Sequence, residues 1–289
     1  MAQRSPQDRI FVLLAPALSY VPPVFTRRDL DPEEHASRLA KVQQLRGRIY
    51  FDDGAIEAWQ LTEDGRYRLQ QDENRWHLLT MNEQQVRGCA SLKVYVPPTA
   101  FSDLGVAQSA QAQSPVWGSV LQQLVNVDLH QAEIELLRFV EAGGWALAPE
   151  LRCTTEALHI ALASYALGEL LGGCLGLSTA TVRHQSASIL RRLGGSALMC
   201  EGQPLPPYYD SAYKCEMEIV RFDSRLPNPK YQVLVNQLKE QLAVAPVLCA
   251  TEGMDAPTEQ LWSLSNAVGL SGAKSTASSR RECLVVPLQ

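Results

Sequence analysis

The sequence predicts an α+β fold of the mixed α/β kind, in which a twisted mixed sheet carries helices on both faces. Two patterns support this prediction. The apolar stretch 76–81, the polar residues 82–85 and the apolar stretch 86–96 are typical of an antiparallel hairpin. Farther along, residues 141–195 alternate strand, helix, strand and helix, an order that places helices against a sheet.

The first fifty residues predict an arm followed by a helix. Residues 1–30 are expected to form an N-terminal arm, whose apolar stretch 10–18 is interrupted by proline and so indicates a strand or packed arm rather than a signal peptide. Asp31 before Pro32 is typical of a helix N-cap. This helix is expected to end near Gly47, with residues 48–51 extended and a turn at 52–54.

The remaining elements follow from turn residues and apolar spacing. Residues 31–245 are predicted to form the main domain, with an insert at about 99–135. Helical segments are expected at 116–124 and 131–139. Thr154 or Thr155 is expected to cap a helix that ends near Leu171 at a Gly-Gly pair. The later elements are expected to be a strand at 177–182, a helix at 185–193, a strand at 215–222 and a helix at 231–243. Residues 246–289 are predicted to form a C-terminal extension, partly mobile around 271–279.

Composition excludes several classes of protein. The formal net charge of −5 argues against general nucleic-acid binding, and the apolar runs are shorter than the roughly 18 residues of a membrane span. The seven cysteines are scattered and lack a CxxC pair, so they predict neither a disulfide framework nor a metal site. Small core cysteines are the simpler interpretation, and the cytoplasm is the expected location.

An ordered set of short motifs resembles the GNAT acyltransferase superfamily, in particular its acyl-homoserine lactone synthase and long-chain N-acyl amino acid synthase branch. The similarity covers about residues 35–225. The matching segments are Leu45-Arg46-Gly47-Arg48-Ile49-Tyr50-Phe51, Asp72 with Trp76-His77-Leu78-Leu79, Gly88-Cys89-Ala90, Val140-Glu141, and residues 184–195.

The sequence also departs from this family. Ser91 and Gly144 stand where the branch is expected to have arginines that organise its site, and Leu69 stands where it has an acid. Residues 152–157 lack both glycines of the general acetyltransferase pyrophosphate signature. The missing glycines favour the acyl-chain branch over ordinary acetyl-CoA enzymes, and the missing arginines weaken the expectation of lactone formation.

The resemblance implies roles for residues around the first strand of the alternating block. Glu141 is the candidate general base, because an amine must be neutral to attack a thioester; a surface ion pair is the alternative. Gly143, Gly144 and Trp145 are expected to form a bulge that binds the thioester and its oxyanion, or simply a close-packing site.

The donor's other groups have candidate sites nearby. Arg152, Thr154 and Thr155, at a predicted helix N-terminus, are candidates for the donor's phosphates, with an ordinary capped helix as the alternative. His184 or Ser186 would protonate the leaving thiolate, although His184 equally suits a helix start.

The resemblance also implies an acceptor site and partners. Asp72, Tyr208 and Tyr209, with Tyr213, are candidates for the acceptor pocket, and loop packing is the alternative. An acyl carrier protein could dock on the basic residues Arg183, Arg191 and Arg192, which equally suit a solvated helix face.

The leading functional hypothesis is an N-acyltransferase. It would move a fatty acyl group from coenzyme A or acyl carrier protein to a primary amine of an amino acid or a peptide side chain. No tightly bound cofactor is expected, since the acyl-CoA or phosphopantetheine-linked donor is a co-substrate. The alternative is a catalytically reduced GNAT-like scaffold that binds an acyl thioester or a partner protein.

Overall fold

A mixed β-sheet flanked by helices forms the body of the protein. The computed structural model describes residues 10–17, 19–82 and 84–252. Within these residues, ten strands form one sheet, five α-helices cover its two faces, and two short strands form a separate ladder. The predicted α+β fold class is confirmed.

The sheet strands are β1 (Ile10–Leu14), β2 (Arg28–Leu30), β3 (Trp76–Asn82), β4 (Gln85–Tyr95), β5 (Arg138–Leu147), β6 (Cys174–Thr181), β7 (Ser196–Ala197), β10 (Tyr208–Asp210), β11 (Cys215–Asp223) and β12 (Val247–Cys249), while β8 (Met199–Cys200) and β9 (Gln203–Pro204) form the ladder. Across the sheet the order is β10, β11, β6, β5, β4, β3, β1, β12 and β2, with β7 beside β11. The pairs β5–β6, β1–β12 and β12–β2 are parallel. The other pairs are antiparallel, including the predicted hairpin β3–β4.

The helices are α1 (Pro32–Asp52), α2 (Gly118–Ile134), α3 (Glu156–Leu170), α4 (Ser186–Arg192) and α5 (Gln232–Ala243). Helices α3 and α5 cover one face of the sheet, and α1 and α2 cover the other. None of the helices in the described residues is long and apolar enough to cross a membrane.

Helix α1 is longer than its sequence pattern predicts. Its start is as expected, since the Asp31 side chain accepts a hydrogen bond from the Glu34 N–H at 2.9 Å. The prediction of an extended segment at 48–51 is wrong, because Leu45 and Ile49 continue one buried helical face over the sheet.

The insert between β4 and β5 contains one α-helix rather than two. The prediction of separate helical segments at 116–124 and 131–139 is wrong, because Leu121, Val125 and Ala132 form a single buried stripe along α2. Phe139 belongs to β5 and packs against this helix. Short 3-10 turns at 101–103 and 105–108 occupy the rest of the insert.

The chain ends of the described region take part in the sheet. Strand β1 lies between β3 and β12, and β12 is hydrogen-bonded to β1 and β2. The division into residues 1–30, 31–245 and 246–289 stays a prediction, and the small polar stretch 271–279 lies outside the described residues.

Candidate active site

The predicted irregularity in β5 is confirmed as a β-bulge. Ser91 of β4 pairs with Gly143 and Cys89 pairs with Ala146, so Gly144 and Trp145 together lie opposite one β4 residue. Gly144 has φ +62°, a conformation that favours glycine. The carbonyl oxygens of the bulge are held by β4, since Ser91 Oγ donates to Gly143 O at 3.1 Å and Cys89 Sγ to Gly144 O at 3.3 Å.

Strands β5 and β6 separate at the same place. Their last paired residues are Ala142 and Ser178, while β6 continues to Thr181 in partnership with β11. Within the described residues, 143–147 pair with β4 alone. A wedge therefore opens in the middle of the sheet, beside the bulge.

An apolar pocket occupies the wedge on the α3 face of the sheet. It has about 50 Å³ of enclosed space, within about 520 Å³ of non-protein volume that includes its open mouth. Its lining combines small side chains with larger apolar ones, and the rings of Tyr165 and Phe222, 5.5 Å apart between centroids, form part of its wall. The lining residues are Ala90, Ala142, Gly143, Trp145, Ile160, Ala161, Ser164, Tyr165, Ser178, Leu190, Gly195, Val220 and Phe222.

The two bulge glycines have different surroundings. A Cβ on Gly143 would have no neighbour within 4 Å, whereas a Cβ on Gly144 would lie 2.9 Å from Ser91 Oγ and 3.2 Å from Arg46 Nη1. Gly143 therefore adjoins the open wedge, and Gly144 allows close packing against α1.

We expect Gly144→Ala to destabilise the protein more than Gly54→Ala. Both glycines have φ above +60°, but a Cβ on Gly54 would meet nothing within 4 Å. Each variant carries about 1–3 kcal/mol of backbone strain, and Gly144→Ala adds roughly 1–3 kcal/mol of overpacking. Urea denaturation measures the difference, and equal losses in the two variants would contradict the tight packing.

Glu141 is held by a loop of the insert. Its Oε2 accepts hydrogen bonds from the Gly105 N–H at 2.8 Å and from the Tyr95 hydroxyl at 2.5 Å, and its Oε1 accepts from the Val106 N–H at 2.7 Å. Burial, together with the charge of Glu141, raises the pKa of Tyr95 and keeps it a donor. Glu141 thus fixes the loop, and its predicted role as general base remains a prediction.

Trp145 extends its indole ring into the pocket wall. Its carbonyl oxygen accepts a hydrogen bond from the Tyr50 hydroxyl at 3.2 Å on α1. The indole Nε1 is buried and has no hydrogen-bond partner within the described residues. The bulge is therefore anchored to α1 on one face and lines the pocket on the other.

The predicted donor-phosphate residues lie at the start of α3, where they are exposed. Thr154 Oγ1 accepts from the Glu156 N–H at 3.2 Å, whereas the Thr155 side chain makes no capping bond. Arg152 Nη2 donates to both oxygens of Asp53, at 3.0 and 3.2 Å, and His184 Nε2 lies 3.8 Å from the same carboxylate. The structure thus brings Arg152 and His184 together around Asp53, which the sequence indicated only as a turn residue.

Ser186 lies at the first position of α4 and its Oγ is 3.2 Å from Thr181 Oγ1 at the end of β6. The basic residues that follow are exposed and partly engaged, since Arg191 pairs with Glu218 and Arg192 donates to Ser188 Oγ at 3.2 Å. Arg183 is exposed on the preceding turn.

Asp72, a candidate for the acceptor site, is enclosed by the protein. It is 2% exposed and pairs with Arg46, which is 0% exposed, through contacts of 2.9 and 2.5 Å. Gln43 Nε2 and the Leu69 N–H also donate to its Oδ2. Because these donors occupy the carboxylate, the geometry gives Asp72 a structural role, and nothing in it supports direct contact with an acceptor.

The three tyrosines proposed for the acceptor pocket do not converge. Tyr208 packs against α2, Tyr209 is exposed, and the Tyr213 ring lies 6.1 Å from that of Tyr50 on α1. Only Tyr213 approaches the bulge, through Tyr50. The structure does not bring the three tyrosines together, and their role at an acceptor pocket stays a prediction.

Acid should destabilise the protein through His77, which is 1% exposed and hydrogen-bonded to Asp72 O at 2.7 Å. Burial and the charge of Arg46 lower the pKa of His77 to about 4, against 6.5 in the unfolded chain. Between these values only the unfolded state binds the proton, so stability is full above pH 6.5 and falls by about 3 kcal/mol as the pH drops to 4.

Urea denaturation from pH 7.5 to 4 measures this loss. His77→Gln should remove most of this pH-dependent loss of stability. A smaller loss should remain in the variant because burial also lowers the pKa of His35. An unchanged pH profile in the His77→Gln variant would contradict the assignment.

No protein-family model and no curated protein matches the chain. Similar solved structures include BjaI, a CoA-dependent acyl-homoserine lactone synthase with SAM and isopentyl-CoA (12% identity, TM-score 0.49, 89% of this chain and 99% of that chain). FeeM, an N-acyl amino acid synthase from uncultured soil microbes, has 12% identity and a TM-score of 0.41, and the match covers 68% of this chain and 88% of that chain. The acyl-homoserine lactone synthase LasI has 11% identity and a TM-score of 0.41, and the match covers 65% of this chain and 84% of that chain. At these identities the similarity concerns the fold alone.

Proposed function

We propose that this protein is an N-acyltransferase that moves an acyl group from a thioester donor to a primary amine. The observation that carries the proposal is the wedge between β5 and β6, which opens beside a bulge and leads into an apolar pocket. A bulge, a break in strand pairing and an open apolar pocket coincide at one point. A thioester with an acyl chain has matching chemistry, a polar carbonyl attached to an apolar tail.

The donor would lie with its acyl chain in the pocket and its thioester at the bulge. Each buried CH₂ group contributes about 0.8 kcal/mol, so a pocket with a mainly apolar lining favours a fatty chain over acetyl. The N-terminus of α3 and Arg152 would bind phosphate of coenzyme A or of a phosphopantetheine arm. To do so, Arg152 would exchange its bond to Asp53 for the phosphate.

The chemistry is direct transfer. The amine nitrogen attacks the thioester carbonyl carbon, the carbon–sulfur bond breaks, the amine loses a proton and the thiolate gains one. Glu141 is the proposed acceptor of the amine's proton, which requires it to release one of its present hydrogen bonds, and His184 or Ser186 would supply the thiolate's proton. A backbone N–H at 143–145 would stabilise the oxyanion, a role worth about 3 kcal/mol elsewhere.

The proposed partners are an acyl-CoA or an acyl carrier protein as donor and an amino acid or peptide amine as acceptor. Carrier-protein docking would use the exposed Arg183 and Arg192, because complementary charge speeds encounter. Action in the cytoplasm accords with such donors.

A thiol-release assay tests the proposal with acetyl-, decanoyl- and hexadecanoyl-CoA, the matching acyl carrier proteins and a panel of amines. We expect amine-dependent thiol release that is fastest with the longer chains. Donor binding in calorimetry without thiol release would instead support the catalytically reduced scaffold.

Glu141→Gln tests the base, and Asp103→Asn is the matched control, because Asp103 Oδ2 caps the same loop through the Ala100 N–H at 2.8 Å. If Glu141 accepts the proton, its variant should lose about 10²–10⁴ in kcat and the control should lose little. Equal losses would show that Glu141 acts only through the loop.

A further inference from the structure

A row of charged residues crosses the sheet next to the bulge, on the face opposite the acyl pocket. Lys93 of β4 pairs with Glu141 of β5. Trp76 pairs with Leu92, so the antiparallel register places Arg75, the residue before β3, opposite Lys93. Strand alternation puts Arg75 and Lys93 on the same face as His77 and Ser91.

The two cations of this row have unused hydrogen-bonding capacity. Within the described residues, neither Arg75 nor Lys93 has an ion-pair partner within 4 Å, and Arg75 Nε is buried without a hydrogen-bond partner. Lys93 Nζ lies 4.6 Å from the centre of the Tyr95 ring. Burial lowers the pKa of Lys93, which is consistent with an ammonium group that has lost part of its hydration.

The acidic groups near this row are already occupied. Glu141 accepts from two backbone N–H groups and from Tyr95, and Asp103 accepts from the Ala100 N–H. Their charges interact with Lys93 at longer range, but their oxygens are directed to the insert loop. The N–H groups of Arg75 and Lys93 are therefore available to bind the anionic group of a ligand.

The row is close to the point where an acceptor would react. Lys93 is two residues, or about 7 Å, along β4 from Ser91, which pairs with Gly143 at the wedge. An α-amino acid carries its amine one carbon away from its carboxylate. A carboxylate held between Arg75 and Lys93 would direct the amine along the sheet toward the bulge and Glu141.

We propose that Arg75 and Lys93 bind the carboxylate of the acceptor, and that the acceptor is a free amino acid rather than a lysine or ornithine side chain within a peptide. This inference rests on the proposed acyl transfer. It also explains how the site could work with Ser91 and Gly144 at the positions where arginines are expected, because Arg75 and Lys93 supply the positive charge on this face.

Paired substrates test the inference. Amino acids and their carboxamides are compared as acceptors in the thiol-release assay, with cadaverine and an N-acetyl-lysine amide representing isolated side-chain amines. We expect the amino acids to exceed their carboxamides at least ten-fold in kcat/KM. Equal use of acid and amide, or preference for the side-chain amines, would overturn the carboxylate site while leaving acyl transfer intact.

Two variants and a control separate binding from structure. Lys93→Met and Arg75→Met should each raise KM for the amino acid about ten- to hundred-fold with little change in kcat, and should leave the carboxamide's constants within three-fold. Lys230→Met is the control, because Lys230 also lies over a tyrosine ring, at 5.5 Å, but outside the site. Losses that are equal for acid and amide would indicate a structural role only.

A binding measurement keeps the inference testable if no amine is acylated. Calorimetry compares N-decanoylphenylalanine with its carboxamide on the wild type and on Lys93→Met. Tighter binding of the acid, lost in the variant, would support the site even if acyl transfer failed. Equal binding of acid and amide, or no binding of either, would overturn it.

Discussion

Replacing Arg46 with methionine is expected to destabilise the protein by about 3–5 kcal/mol, because it leaves the Asp72 carboxylate buried without its cation. Burial alone would raise the pKa of Asp72, but the hydrogen bonds and charge of Arg46 outweigh it and lower that pKa. Arg46 also donates to the Tyr67 carbonyl at 3.2 Å, so its loss loosens the segment that connects α1 to β3.

The matched control for this substitution is Arg66→Met. Arg66 also pairs with an aspartate, Asp64, at 2.7 Å, but both side chains are partly exposed, so its removal should cost about 1 kcal/mol or less. The double variant Arg46→Met with Asp72→Leu should recover part of the stability lost in Arg46→Met, since no unpaired charge remains. Urea denaturation at pH 7.5 measures all three, and a loss in Arg46→Met no larger than in Arg66→Met would contradict the argument.

Local patterns in the sequence predicted the elements that depend on neighbouring residues. The hairpin and α3 with its Gly172-Gly173 end are examples, because turn residues and helix ends act within a few positions. The bulge was also predictable, since glycine weakens a regular strand and two adjacent glycines in an apolar strand are typical of a bulge.

Contacts between distant segments were not predictable in the same way. The resemblance implies an acceptor role for Asp72, whereas the structure pairs it with Arg46, 26 residues away on a helix, where an arginine suggests a solvated face. One signal was available, since Arg46 lies four residues after Val42 and three before Ile49, next to two apolar positions of the buried side of α1. The Arg152–Asp53 contact, 99 residues apart in the chain, gave no signal that spacing could detect.

The predictions of helix length were wrong for a related reason. A buried stripe continues wherever the sheet beneath it continues, and the extent of the sheet is a tertiary property. Helix α1 extends beyond its predicted end, and α2 bridges the gap between its two predicted segments, because Ile49 and Val125 are covered by strands that are distant in the chain. The charged row of Arg75 and Lys93 depends in turn on the β3–β4 register, which the hairpin pattern fixes only once the turn is placed.

Replacing Ala142 with phenylalanine is expected to exclude long acyl chains from the pocket. Ala142 is the last β5 residue paired with β6, and it lines the pocket beneath α3. A benzyl group there would displace three or four CH₂ groups of a fatty chain, each contributing about 0.8 kcal/mol. That loss of about 3 kcal/mol corresponds to a fall of roughly 100-fold in kcat/KM for a decanoyl or longer donor.

Chain-length profiles measured by thiol release distinguish this effect from general damage to β5. Acetyl and butanoyl donors should stay within a few-fold of wild type, because their thioesters lie at the bulge and their chains do not reach past Ala142. The control Ala142→Val adds only two carbons and should shift the profile by a smaller amount in the same direction. If short and long donors lost activity equally in Ala142→Phe while its urea midpoint was unchanged, the acyl chain would have to bind elsewhere, and the wedge between β5 and β6 would lose its assigned role.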